Sequence, residues 1–69
     1  MTSMTLHING ESRSFDGEIT VAELLEALDI RPDGMAAVHN GTIVRRPQFE
    51  ATALADGDEL EIVRMVGGG

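Results

Sequence analysis

Residues 19–28 read Ile19-Thr20-Val21-Ala22-Glu23-Leu24-Leu25-Glu26-Ala27-Leu28. Thr20 and Glu23 have the spacing of a capping box. The Thr20 hydroxyl accepts from the Glu23 amide, and the Glu23 carboxylate reaches back to the Thr20 amide. Ile19 precedes the cap and Leu24 takes the fourth helical position, the arrangement of a hydrophobic staple. Val21, Leu24, Leu25 and Leu28 fall at i, i+3, i+4 and i+7, while Glu23, Glu26 and Ala27 lie elsewhere on the wheel. This pattern predicts a short amphipathic helix over about residues 20–29, with its single apolar stripe in the core. Asp29 to Gly34, which holds Pro32 and Gly34, reads as a loop.

Strand signals lie on both sides of the helix. Met4, Leu6 and Ile8 alternate with Thr5, His7 and Asn9, the period of a half-buried strand. Asn9-Gly10 follows, a pair suited to a type I′ turn because both central residues need φ > 0. Ser12 to Asp16 returns as a second strand with Phe15 inward. After the loop, Met35 to Val38 and Ile43-Val44 flank Asn40-Gly41, a second hairpin with the same turn chemistry. Pro47 is expected to end the returning strand, since it cannot donate to a ladder. Gln48 to Ala55 reads as a short turn or 3₁₀ segment anchored by Phe49 and Leu54. Asp56-Gly57-Asp58 is a turn, and Glu59 to Val66 is a last strand with Leu60 and Ile62 inward. The order is β-β-α-β-β-β. It implies an α+β domain with one helix across one face of a mixed sheet of about five strands. With the first and last strands adjacent and parallel at the centre, the topology is a β-grasp. Residues 1–66 form the single expected domain, and residues 67–69 a flexible tail.

Composition narrows the function. The chain has 69 residues, no cysteine and five basic residues, all arginine, against twelve acidic ones, for a net charge of −7. That balance argues against nucleic acid and anionic membranes as partners. The lack of cysteine removes disulfides, thiolate metal sites and a cysteine nucleophile. No apolar run approaches the roughly 20 residues a spanning helix needs, and no secretion leader is read, so a cytoplasmic protein is expected. Apart from alanine, 22 apolar side chains are available, enough for one small core. So small a core leaves little room for a buried active site. The expected classes are carrier, binding module or small regulator, and the chain itself is expected not to be an enzyme.

The chain closes Val66-Gly67-Gly68-Gly69. A compact fold does not require three glycines after its last strand. One reading is a frayed terminus or an added scar. The other is a terminal carboxylate that enters a narrow site on a second protein, since glycine has no Cβ to obstruct close approach. A glycine carboxylate is also the least hindered acyl group a chain offers for activation.

These residues, together with Asn40-Gly41-Thr42-Ile43-Val44, Arg46 and Asp56-Gly57-Asp58-Glu59-Leu60-Glu61-Ile62-Val63, resemble the ThiS family. These are the small sulfur carriers of thiamine thiazole synthesis, within the ubiquitin-like MoaD-ThiS group. The Thr20 to Leu28 segment also reads like the family, and the likeness runs from Met4 onward. The sequence departs from the family after the second hairpin. The family often has Val-Pro-Arg there, followed three residues later by Trp; this chain has Val44-Arg45-Arg46, with Phe49 in the Trp place and Pro47 shifted two residues later.

The resemblance implies that the chain is the substrate of a ThiF-type adenylating enzyme that uses ATP and Mg; no cofactor is expected on the chain itself. Gly69 would be adenylated and converted to a thiocarboxylate with sulfur from a cysteine desulfurase or related persulfide. A ThiG-type thiazole synthase would accept the sulfur. Gly67 and Gly68 would present the tail, and the carrier would be a monomer. Related readings are a MoaD-type carrier and a carrier serving cysteine synthesis. From another class come a ubiquitin-like modifier and a plain interaction module with an inert tail.

Other residues carry weaker signals. Val63 and Met65 should point opposite to Leu60 and Ile62. They would then either form a docking patch beside the tail, with Arg64 and Val66, or close a second small cluster. His7 and His39 read as structural or surface residues, with no second ligand near in sequence. Asp56, Asp58, Glu59 and Glu61 read as a solvated turn and strand edge, or as a docking face for a basic partner.

Overall fold

In the computed structural model, which describes residues 3–65, the expected element order is present. Strand β1 spans Ser3–Ile8, β2 Glu11–Asp16, β3 Met35–His39, β4 Thr42–Val44 and β5 Glu59–Arg64; helix α1 spans Val21–Ala27. The sheet order is β2-β1-β5-β3-β4. β1 and β5 are parallel, and the other neighbours are antiparallel. The first and last strands therefore meet at the centre, as the β-grasp expectation requires. Val66, Gly67, Gly68 and Gly69 lie outside the described residues.

Both hairpins turn as their sequences dictate. Asn9 and Gly10 have φ of 50° and 84°, and Asn40 and Gly41 have 49° and 87°. Type I′ geometry needs positive φ at both positions, which asparagine tolerates and glycine adopts freely.

Helix α1 starts with the predicted box. Glu23 N–H donates to Thr20 Oγ1 at 3.2 Å, and Thr20 N–H donates to Glu23 Oε1 at 2.9 Å. Its other free donors are met from a distance: Val21 N–H donates to Thr52 C=O at 3.0 Å and Ala22 N–H to Phe49 C=O at 3.1 Å. The helix ends earlier than its apolar stripe suggests. Leu28 is the C-cap, and Asp29 follows with φ 60°. Asp29 N–H donates to Glu26 C=O and Ile30 N–H to Leu25 C=O, the two bonds of a Schellman motif.

The sequence places Pro47 at the end of a strand, but β4 already stops at Val44 and Pro47 lies within a 3₁₀ turn, Arg46–Gln48. The fixed φ of proline suits a first helical turn, and its missing donor costs nothing there. Phe49 and Leu54 anchor the following segment as expected, at 2% and 3% exposure. The core joins Met4, Leu6 and Ile8 of β1, Val21, Leu24 and Leu25 of α1, Ala37, Val44 and Leu60 of the sheet, and these two anchors. All of it lies on the helix side, and among the described residues no element covers the opposite sheet face.

Candidate functional site

Strand β5 carries the tail, and both hairpin turns hold it. Asn40 Oδ1 accepts from the Glu59 amide and Asn9 Oδ1 from the Ile62 amide, each at 2.9 Å. The sequence explains these asparagines by turn geometry alone; their side chains also pin the central strand. A further clasp stands at the start of β5. Asp58 Oδ2 lies 2.6 Å from His39 Nε2 and accepts from Ala55 N–H at 2.9 Å, while Asp58 Oδ1 accepts from Asn40 Nδ2 at 3.1 Å. Burial alone would raise the Asp58 pKa. The bonds from His39, Ala55 and Asn40, with the attraction of His39, outweigh it and hold the carboxyl below its ordinary value. Asp56 is structural too, since its Oδ1 accepts from Thr5 N–H at 2.7 Å.

The acidic run thus divides by role. Asp56 and Asp58 build the turn, whereas Glu59 and Glu61 are exposed on the uncovered face. His39 belongs to the clasp, and exposed His7 pairs with Ser12 Oγ at 3.1 Å. Among the described residues no group of His, Cys, Asp and Glu is arranged to hold a metal.

Val63 and Met65 point away from Leu60 and Ile62, as the alternation predicts. They are 39% and 45% exposed, so among the described residues they close no second cluster. Sequence reasoning missed Ile43, which is 59% exposed on the same face. Its signal was its place next to buried Val44, because strand neighbours face opposite ways. Val38 pairs with both Ile43 and Glu61, and Ala36 pairs with Val63. On the open face the exposed side chains of Ile43, Val63 and Met65 therefore lie along a diagonal band that passes half-buried Val38 and buried Ala36, flanked by Glu61 and Glu59. Exposed Arg64 does not join this band; it faces the helix side, beside Ile62, Met35 and Asp29. The predicted docking residues thus fall on two faces, and Val66 and the three glycines lie outside the described residues.

Where the sequence departs from the pattern it resembles, Phe49 is core, Arg45 is exposed, and Arg46 pairs with Asp33 at 2.8 Å. Among the described residues no helix is long and apolar enough to cross a membrane.

Comparison with known proteins gives a consistent set of relatives. The model of the ThiS family matches residues 6–69. The chain is 42% identical over 66 residues to a thiazole synthase of Paramagnetospirillum magneticum; that match takes in 96% of the chain but only 20% of the larger protein. It is 35% identical over 66 residues to the sulfur carrier protein ThiS of Escherichia coli (strain K12), covering 96% of the chain and 100% of that protein. The crystal structure of a thiamine biosynthesis protein (ThiS) from Geobacter metallireducens superposes with a TM-score of 0.83 at 36% identity, covering 96% of this chain and 100% of that one.

Proposed function

The chain belongs to the ThiS family, and from that premise we propose that it is a sulfur carrier of thiamine biosynthesis whose working group is the Gly69 carboxylate. The full-length match to the Escherichia coli carrier is the observation that carries this reading, because it extends over the whole of that protein. The family model also runs through the closing Gly67-Gly68-Gly69.

The chemistry follows from the acyl group. A carboxylate is a poor electrophile, so a ThiF-type enzyme with ATP and Mg would first transfer AMP to Gly69, releasing pyrophosphate. A persulfide sulfur then attacks the acyl carbon and AMP leaves. A thiol cleaves the remaining S–S bond, itself becoming a disulfide, and the terminal sulfur stays on Gly69 as a thiocarboxylate. The chain acts throughout as substrate rather than enzyme. Holding the sulfur on a protein keeps it from diffusing away and raises its effective concentration at the acceptor. The thiazole synthase relative, with a carrier-like segment in one chain, supports a ThiG-type synthase as that acceptor.

The open-face band is the proposed docking surface. Val63 lies on the strand that leads into the tail and Met65 directly follows it, so a partner seated there also receives the terminus. The exposed carboxylates of Glu59 and Glu61 favour a partner with basic residues around its apolar contact.

Intact mass tests the reading. Incubation with ATP, a sulfur source and an active adenylating enzyme should add about 16 Da, oxygen replaced by sulfur, and high resolution separates this from methionine oxidation of nearly equal mass. Fragmentation of the tryptic peptide that starts at Met65 must place the change on Gly69. An ATP-dependent shift there supports the carrier. An unchanged Gly69 with an enzyme active on its cognate carrier refutes it.

A further inference from the structure

The two edges of β5 are filled unequally. On the β3 side, pairing runs from Leu60 to Arg64, and Met65 N–H adds a bond of 2.7 Å to Gly34 C=O. On the β1 side, pairing stops after His7↔Glu59 and Ile8↔Leu60. Asn9 N–H donates to Leu60 C=O at 2.9 Å, and the Asn9 side chain takes the next rung by accepting from Ile62 N–H. There the turn at Asn9, with φ 50°, carries β1 away.

Strand parity fixes what remains. The bonds of Asn40 N–H to Glu59 C=O and of Met65 N–H to Gly34 C=O show that odd-numbered residues of β5 face β3. Even-numbered residues face the β1 side. Ile62 C=O, Arg64 N–H and Arg64 C=O therefore point outward, and among the described residues none has a hydrogen-bond partner. The described residues thus leave three consecutive ladder groups of a central strand open where the chain runs toward its tail. Edges of this kind are templates for an added strand, and natural proteins commonly block them with charge, proline or a bulge. No proline or bulge interrupts β5, and its charge at this point, Arg64, lies on the helix side.

We infer that the β1-side edge of residues 62–64 is a strand-addition site, filled by an extended main-chain segment of the enzyme that receives the tail. This rests on the carrier reading and specifies how the partner grips the chain. The occupant follows from position. A strand laid in this slot continues the line of β1 and runs alongside the chain leading to Gly69. Its alternate side chains fall next to Val63 and Met65 on the open face, so one added strand engages both the apolar patch and the backbone. Main-chain bonds fix the direction and register of the chain, which an apolar patch alone does not.

Amide hydrogen exchange reads the edge directly. The full chain, labelled with ¹⁵N, is measured alone and in complex with the ThiF-type enzyme, and separately with the thiazole synthase. Val63 N–H, bonded to β3, should exchange slowly in every state. Arg64 N–H should exchange fast in the free chain and slow by about tenfold or more in a complex. In parallel, Arg64→Pro is compared with Arg64→Ala, so that side-chain loss is common to both. Proline removes a donor that the free fold does not use and is tolerated at a strand edge. Arg64→Pro should therefore stay folded by circular dichroism and bind about tenfold more weakly than Arg64→Ala, through the lost bond and the ring blocking the approaching strand.

The inference is overturned if the complexes form, as Val63 and Met65 shifts report, while Arg64 N–H stays fast. Equal binding of the two variants overturns it as well. Protection of Arg64 that appears without enzyme and grows with concentration assigns the edge to a second copy of the chain instead. Failure to bind either enzyme, each active on its cognate carrier, overturns the carrier reading itself and the strand partner with it.

Discussion

Replacing Asp58 by alanine should unfasten the start of β5. The side chain is 14% exposed and holds His39 Nε2, Asn40 Nδ2 and the Ala55 amide at 2.6, 3.1 and 2.9 Å. A net hydrogen bond contributes about 0.5–1.5 kcal/mol, and one to a charged group about 1.5–3. Water can reach part of this site once the carboxylate is gone, because His39 is 20% exposed. The expected loss at pH 7 is therefore about 2–4 kcal/mol rather than the full sum. For a chain of 69 residues, with total stability of roughly 3–10 kcal/mol, that is a large share.

The loss must also depend on pH. The folded pKa of Asp58 lies below its reference value of 3.8. The contribution is therefore fully present above about pH 5 and disappears as pH falls through the folded pKa. Urea titrations of wild type and Asp58→Ala at pH 7 and near pH 2.5 measure both effects, with unchanged m-values as the check on two-state unfolding. The gap between the proteins should be wide at pH 7 and narrow at low pH. A gap under about 0.5 kcal/mol at pH 7, the size of an ordinary surface substitution, refutes the clasp. A gap as wide in acid as at neutrality refutes the assignment of the pH dependence to this carboxylate.

Asp29→Gly should stabilise the protein by about 0.5–1 kcal/mol in the same assay, because Asp29 holds φ 60° and places a negative charge at the negative end of α1. Glycine's greater freedom in the unfolded chain offsets part of that gain. Phe49→Ala should cost about 3–5 kcal/mol and lower the melting temperature steeply, since a side chain only 2% exposed would leave a cavity against α1. Val63→Asp should leave stability within about 0.5 kcal/mol but weaken binding to the adenylating enzyme about tenfold or more by calorimetry, because it puts a charge in the apolar band. Unweakened binding would remove the open face from the proposed docking surface.

Local chemistry made most of the fold legible. Period-2 alternation gave β1, two Asn-Gly pairs gave the hairpins, and Thr20 with Glu23 gave the start of α1. Each signal rests on neighbours in sequence, so no tertiary information was needed. Residues 46–55 were legible only in their anchors, Phe49 and Leu54, and in their short-turn character; what they do for the helix was not, for the opposite reason. Their role is to supply Phe49 and Thr52 carbonyls to the first amides of α1, an arrangement set by the packing of two segments far apart in the chain. The helix end was overestimated because Leu28 continues the apolar stripe, while the stop comes from the backbone turn at Asp29, which periodicity does not register. At the candidate site, alternation placed Val63 and Met65 correctly. The same alternation, applied to Ile43 beside Val44 and to Arg64 beside Val63, would have added the first to the open-face band and put the second on the other side.

The roles of Asn9 and Asn40 show why the tail strand is built as it is. Under the proposed carrier function, a strand that offers its terminus to other proteins cannot be gripped along its whole length, yet a loose strand would not aim the tail. In this chain the two needs fall on different halves of β5. Its first half lies between β1 and β3, tied by Asn40 Oδ1 to Glu59 N–H and anchored by Leu60 at 2% exposure. Among the described residues its second half has β3 alone as a strand neighbour, with Asn9 Oδ1 closing the last rung on the other side. A turn that continued β1 by two residues would stiffen β5 further, but it would fill the edge at Ile62 and Arg64. Asparagine at position 9 meets both demands, because it adopts the positive φ that turns β1 away and its side chain still supplies the acceptor that the departing backbone withdraws.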